Sequence, residues 1–164
     1  TIEVMSEEGE GATFRVALTL ARTTSENRGR DADADGVRFD GKKVLVVEDN
    51  PVNQMITVAA LRKLGVDGIV AENGVVALEM MATERYDLVL MDCQMPVMDG
   101  FEATAQARAD TARYGEAPIV ALTASVMDDD RRRIFAAGME GVIAKPLQRV
   151  ELEKVLVDYW GASR

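Results

Sequence analysis

From Lys43 onward the chain alternates short apolar runs with longer segments of helical period, and this alternation limits the fold more than anything else in the sequence. The runs KVLVVE (43–48), VDGIVA (66–71), DLVLM (87–91), PIVALT (118–123) and GVIA (141–144) read as buried strands. Between them the spacing predicts helices. The first lies in NPVNQMITVAALRKLG (50–65), with Asn50 as N-cap, Pro51 at the first helical position and Gly65 beyond the end. The second is GVVALEMMATE (74–84), the third lies within 100–112, and the fourth is in MDDDRRRIFAAG (127–138). In the last, RVELEKVLVDYW (149–160), Leu152, Val155, Leu156 and Tyr159 form one apolar stripe. Strands joined through helices pair in parallel by right-handed crossovers, which predicts an α/β doubly wound sheet with helices on both faces.

In such sheets the functional crevice lies beyond the carboxyl ends of the strands. The residues found there are Glu48 and Asp49 after the first strand, Asp92 after the third, Thr123 at the end of the fourth and Lys145 after the fifth. Each alone has an ordinary explanation as a solvated turn or cap. Their joint placement on neighbouring strand ends favours a site. Three carboxylates brought together repel one another, and a hard divalent cation such as Mg²⁺ is the natural compensation. Beside that cation Asp92 could attack phosphorus as a carboxylate nucleophile and form an aspartyl phosphate. Lys145 and the Thr123 hydroxyl are the right types to meet the oxygens of the transferred group.

The segments VVEDNPVNQ (46–54), LVLMDCQMPVMDGFE (88–102), ALTA (121–124) and AKPL (144–147), in that order, resemble the receiver domain of bacterial response regulators, in the version attached to hybrid histidine kinases. The resemblance covers about residues 41–162. It implies a flavodoxin-like (βα)5 fold with strand order 2-1-3-4-5. It implies that Asp92 is the phosphoacceptor, that Glu48, Asp49, Asp92 and the backbone carbonyl of Gln94 hold Mg²⁺, and that Thr123 and Lys145 bind the phosphoryl group. In the family the Lys145-Pro146 bond is commonly cis, and the residues at Gln94 and Ser125 tune how water reaches the aspartyl phosphate. The family usually has an aromatic switch residue three positions before the lysine. Here that position is Val142, so either the adjoining helix and strand face signals without an aromatic rotamer, or the domain mainly relays phosphate, the reading preferred here. The first helix carries more apolar residues than one core stripe needs, and the resemblance suggests that part of the surplus, Val52, Met55 and Ile56, docks a histidine-bearing partner. That partner would be a kinase phosphohistidine domain or a histidine phosphotransfer protein.

Two rivals belong to other classes. A pseudo-receiver would keep the fold as an interaction module without the phosphorylation chemistry. A phosphatase of the haloacid-dehalogenase type would want an acid two positions after the nucleophile, where this chain has Gln94.

The first 40 residues differ in kind. TIEVMSEEGEGATFRVALTL (1–20) predicts a β-hairpin turning at Glu8, Gly9, Glu10 and Gly11, with Phe14, Val16, Leu18 and Leu20 on one face. It resembles the last strands of a histidine-kinase ATPase domain; a hairpin peculiar to this protein is the alternative. The expected organisation is a hairpin over 1–22, a flexible linker over 23–40 and a receiver domain over 41–164. The nucleotide-binding motifs of such a kinase would lie upstream, so this chain should not bind ATP or phosphorylate itself on histidine.

Composition then removes whole classes. The 164 residues include no histidine, which excludes any mechanism using one as base, zinc ligand or phosphocarrier, and requires an outside donor. A single cysteine, Cys93, forbids an internal disulfide and fits a reducing, cytoplasmic setting. Following the nucleophile, it should point into packing. A net charge of −9 argues against a nucleic-acid-binding surface, and no apolar run approaches the roughly 20 residues of a membrane span. The run from Asp128 to Arg133 is expected to be a solvated helix face with acid and arginine paired at helical offsets.

Overall fold

The computed structural model describes residues 2–7, 11–16 and 37–161. The chain divides into two compact units, Thr1–Ala34 and Asp35–Arg164. In the first, β1 (Ile2–Glu7) and β2 (Gly11–Val16) pair antiparallel, with Ile2 opposite Val16 and Glu7 opposite Gly11. This is the expected hairpin pairing. Residues 8–10 of its turn, the alternating Leu18 and Leu20, and residues 23–36 of the expected linker lie outside the described residues.

The second unit holds β3 (Lys43–Val47), β4 (Asp67–Ala71), β5 (Leu88–Asp92), β6 (Ile119–Thr123) and β7 (Gly141–Ala144) in one parallel sheet of order β4-β3-β5-β6-β7. Counted within this sheet the order is 2-1-3-4-5, as the resemblance implied. The connecting helices are α1 (Pro51–Lys63), α2 (Gly74–Thr83), α3 (Gly100–Ala109), α4 (Thr111–Tyr114), α5 (Asp128–Ala136) and α6 (Arg149–Trp160). Alternate strand residues point to opposite faces. Val44, Val46, Leu88 and Leu90 pack with Leu61 of α1 and Leu152 and Leu156 of α6. Leu45, Val47, Val89 and Met91 pack with Ala77 and Met81 of α2, Ala103 of α3 and Ile134 of α5. Both faces are therefore covered, and every residue of β5 is buried. That burial explains why the central strand reads as an unbroken apolar run.

Helix ends follow local chemistry. The Asn50 side chain accepts from the Val52 amide, Pro51 occupies the first position, and Gly65 adopts a φ of 78° past the end. Asn73 and Asp99 cap α2 and α3 through the amides of Val76 and Glu102. The third helix lies within the expected span and stops at Ala109. Asp110 ends it and then caps the separate turn α4 by accepting from the Arg113 amide, because an aspartate carboxylate competes well for free amides at a helix start.

The start of the second unit also differs from the expected boundary. Residues 37–40 belong to the sheet domain, since Phe39 is 4% exposed and donates its amide to Leu64 O at 2.8 Å. Its ring meets Trp160 edge-on at 5.4 Å, while the Lys42 ammonium lies over the same indole. One aromatic in an otherwise polar stretch was enough to recruit it to the core.

Phe39→Ala should lower the unfolding free energy by about 3 kcal/mol, read as a shifted urea midpoint. The opposite sign is expected at Thr104, whose hydroxyl is buried on α3 with no hydrogen-bond partner. Thr104→Val removes that orphan and should raise stability by roughly 1 kcal/mol in the same measurement.

Candidate functional site

The carboxyl end of β5 is where the sheet meets charge. Asp92 is the last residue of the strand, 5% exposed. Its neighbours are set by the ends of the adjoining strands: Glu48 and Asp49 follow β3, and Lys145 follows β7. Carboxylate oxygens of Glu48, Asp49 and Asp92 all lie within 4.8 Å of one another. Lys145 Nζ donates to Asp92 Oδ2 at 2.6 Å and stands 2.7 Å from Glu48 Oε2. The Lys145-Pro146 bond is cis.

The backbone around the site is fixed by side chains of its own loops. Glu48 Oε1 accepts from Asn53 Nδ2 at 3.0 Å, and the Gln54 amide group donates to the Glu48 carbonyl at 2.7 Å. Asn53 and Gln54 lie in the first turn of α1, so that helix start and the acidic pair are built together. On the other side, the Gln94 amide donates to Asp92 Oδ1 at 3.1 Å. Gly100 begins α3 so close to β5 that a Cβ there would run into the Asp92 carbonyl oxygen. Only glycine permits that approach. Between them Val97, exposed, holds a φ of 71° in a turn closed by the Met98 amide on Pro96 O. A β-branched residue in that region is strained, and such strain gathers where a loop must be held in one shape.

Burial pushes the Asp92 carboxyl above its ordinary range, against the opposing hydrogen bonds from Lys145 and the Gln94 amide, and the Glu48 charge adds to the rise. For Lys145 burial works against the ammonium, yet the close carboxylates of Asp92 and Glu48 outweigh it and the pKa is raised. The crevice thus sets one ammonium beside a cluster of three carboxylates. Glu48 Oε2 accepts no well-directed hydrogen bond despite its closeness to Lys145, so it keeps lone-pair capacity. Three oxygen donors of this type, one with free capacity, fit a hard divalent cation.

Thr123 ends β6 on the same sheet edge. Its hydroxyl is engaged locally, donating to Ser125 O at 2.9 Å and accepting from the Ser125 amide at 3.2 Å. The Ser125 hydroxyl is in turn bonded to Asp130 on α5. Neither contact was legible from spacing, and the Ser125 to Asp130 offset of five gave no signal in a run read as solvated. Of the expected acid and arginine pairs in that run, Asp129 and Arg132 meet at 3.2 Å on the exposed face. Arg133 instead stacks on Phe101 of α3 at 4.2 Å, and Arg131 lies over Phe135.

Val142 sits mid-strand on β7, partly buried, in the floor of a groove of about 440 Å³ between α5 and α6. Cys93 packs in the core beneath the crevice, and burial, with the Asp92 charge second, pushes its thiol up to about 11. On α1, Val52, Met55 and Ile56 are 62%, 72% and 51% exposed. They leave an apolar strip beside the crevice, where Ile56 shares a concavity with Glu48, Lys145 and Leu147. Among the described residues no helix is long and apolar enough to cross a membrane.

Comparison with known proteins agrees with this geometry. The response regulator receiver domain family matches residues 44–157. The sensor histidine kinase GacS of Pseudomonas protegens is 33% identical over 153 residues, 92% of this chain but 17% of the kinase. The aerobic respiration control sensor protein ArcB of Escherichia coli is 36% identical over 159 residues, 97% of this chain and 20% of that protein. The chain thus spans about a fifth of the length of these relatives. Among solved structures, the receiver domain of the sensor histidine kinase PA1611 from Pseudomonas aeruginosa, with a magnesium ion coordinated in its active-site cleft, superposes with a TM-score of 0.68. It is 42% identical and covers 74% of this chain and 99% of its own. The receiver domain of Ssk1, solved with the histidine phosphotransfer protein Ypd1 of Saccharomyces cerevisiae, gives a TM-score of 0.68 at 34% identity over 74% of this chain and 90% of that one. The chain belongs to the response regulator receiver domain family.

Proposed function

We propose that this chain is the phosphoacceptor of a phosphorelay, taking a phosphoryl group from a phosphohistidine onto Asp92. The observation that carries the reading is the buried Asp92 carboxylate held by Lys145 at 2.6 Å within 4.8 Å of two further acids. Asp92 supplies the nucleophilic oxygen: its bond to phosphorus forms as the phosphorus–nitrogen bond breaks, and the imidazole of the donor leaves with that electron pair. The Lys145 ammonium neutralises charge on Asp92 and meets the phosphoryl oxygens, and the Thr123 hydroxyl, once released from the Ser125 carbonyl, donates to another. Glu48, Asp49, Asp92 and the Gln94 carbonyl would hold Mg²⁺. When bound, the cation supplies the positive charge that one ammonium among three carboxylates leaves wanting. The absence of histidine makes the donor a separate domain or protein.

Several finer assignments rest on the same reading. Val52, Met55 and Ile56 form the surface on which the histidine-bearing partner docks, supported by their exposure beside the crevice. Gln94 tunes the lifetime of the aspartyl phosphate by orienting water with its side chain, a role supported by its place two residues beyond Asp92. With Val142 at the aromatic switch position, relay of phosphate to a second phosphotransfer protein is favoured over output by rotamer change. The hairpin β1-β2 is the end of a kinase ATPase domain, a reading supported by the alignment to ArcB, which runs over 97% of the chain. The parent protein is then a hybrid histidine kinase. A pseudo-receiver would not need all five of Glu48, Asp49, Asp92, Thr123 and Lys145 on one sheet edge.

Incubation with Mg²⁺ and acetyl phosphate should label the wild type and leave Asp92→Asn unlabelled, read by phosphate-affinity electrophoresis; equal labelling of both would sink the assignment. Removing Mg²⁺ with a chelator should abolish the wild-type signal. For the docking strip, Met55→Glu should slow transfer from a phosphorylated histidine phosphotransfer protein about tenfold relative to labelling by acetyl phosphate.

A further inference from the structure

The chain of contacts from Thr123 to α5 has no part in the chemistry described so far, although it ends on the hydroxyl that the phosphoryl group must recruit. A threonine hydroxyl has one hydrogen to donate. Here it is given to the Ser125 carbonyl, while the Ser125 amide fills a lone pair of the same oxygen. Thr123 therefore cannot donate to a phosphoryl oxygen on Asp92 without breaking its bond to Ser125 O. What holds Ser125 in place then decides how readily Thr123 is freed.

Ser125 is held by its own side chain. Its hydroxyl is bonded to the Asp130 carboxylate in the first turn of α5. That helix is otherwise lightly fastened at its start. Met127 caps it without a side-chain hydrogen bond, and Val126 and Met127 are exposed. Ile134, nearly two turns further along, is its one buried side chain. The Ser125 to Asp130 bond thus ties the β6–α5 loop to α5 at the point where Thr123 leaves the sheet.

We propose that Asp130 is a positioning residue that acts through Ser125 on Thr123, holding the Thr123 hydroxyl on the Ser125 carbonyl until a phosphoryl group on Asp92 competes for it. The proposal rests on Asp92 being the phosphoacceptor. It assigns Ser125 a different task from orienting water, since its hydroxyl already has a partner on α5. It also gives the domain a connection from the crevice to α5 that needs no aromatic residue at Val142. Because a ligand that draws Thr123 inward must break its bond to Ser125 O, loosening Ser125 from Asp130 lowers that cost and strengthens binding of the ligand.

The test uses beryllofluoride with Mg²⁺, a stable stand-in for the phosphoryl group, titrated calorimetrically into the whole chain. Ser125→Ala and Asp130→Ala should each tighten binding roughly fivefold, and the double variant should tighten it no further than either alone. Asp130→Asn, which keeps an acceptor for the Ser125 hydroxyl but loses the charge, should bind like wild type. In a Thr123→Ala background the Asp130 substitution should have no effect. An Asp130→Ala effect that survives loss of Thr123, or that Asp130→Asn reproduces, would show a general effect of structure or charge and overturn the proposal. Unchanged affinity in both single variants would overturn it too. If wild type itself fails to bind beryllofluoride with Mg²⁺, the phosphoacceptor reading falls and takes this proposal with it, whereas wild-type binding with inert variants removes only the tether.

Discussion

The Lys145 ammonium, shared between Asp92 at 2.6 Å and Glu48 at 2.7 Å, is what allows a fully buried apolar strand to end in an acid. A buried carboxylate without a partner would cost several kcal/mol, and removing one member of such a pair typically costs about 3–5 kcal/mol. The ammonium must therefore arrive from the other side of β6, and the parallel order β5-β6-β7 brings it there. Its match is incomplete, because Asp49 adds a third acid. Burial, with the Glu48 charge adding to it, keeps the Asp92 carboxyl above its ordinary range even with the ammonium in place. The site is thus the least comfortable part of the sheet, stabilised by two apolar cores that contribute nothing to its chemistry.

The loops around it carry the consequence. Each strand end must present a polar group while the chain turns sharply into a helix, so capping and catalysis compete for the same few residues. They are separated by position. Asn50 caps α1 while Glu48 and Asp49, two residues and one residue earlier, face the crevice; Asp99 caps α3 while Asp92 stays on the strand. Gly100 is the joint that lets α3 start against the Asp92 carbonyl, and Val97 bears strain so that the loop reaches it. A looser loop would leave the Gln94 amide without a fixed distance to Asp92.

Most of this architecture was legible before any coordinates. The unbroken apolar runs announce strands buried on both faces, and Asn50-Pro51, Gly65 and the Leu152 stripe mark the helices directly. The five candidate residues could be read because a doubly wound sheet converts sequence order into spatial proximity: residues that end neighbouring strands come to one edge. What stayed hidden has a common cause. Phe39 is a lone aromatic in polar sequence, and only its partner Trp160, over a hundred residues away, reveals that it is core. Arg133 reads as a surface charge until Phe101 lies beneath it. Asp110 splits the third helix through one side-chain contact that period counting does not register. Contacts between one residue on one helix and one on another leave no periodic trace.

The division between what the sheet edge fixes and what the surface fixes follows from the reaction. Phosphoryl transfer asks the acceptor for position and charge more than for covalent chemistry, and a handful of strand-end groups supplies both. Such a site cannot distinguish one phosphohistidine from another, since every donor presents it with the same phosphoryl group. Discrimination must come from contact area outside the crevice. The exposed Val52, Met55 and Ile56 offer apolar surface beside it that the fold does not need for its own core. On the docking role proposed above, the surplus of apolar residues on α1 serves specificity, and the net charge of −9 offsets its cost in solubility.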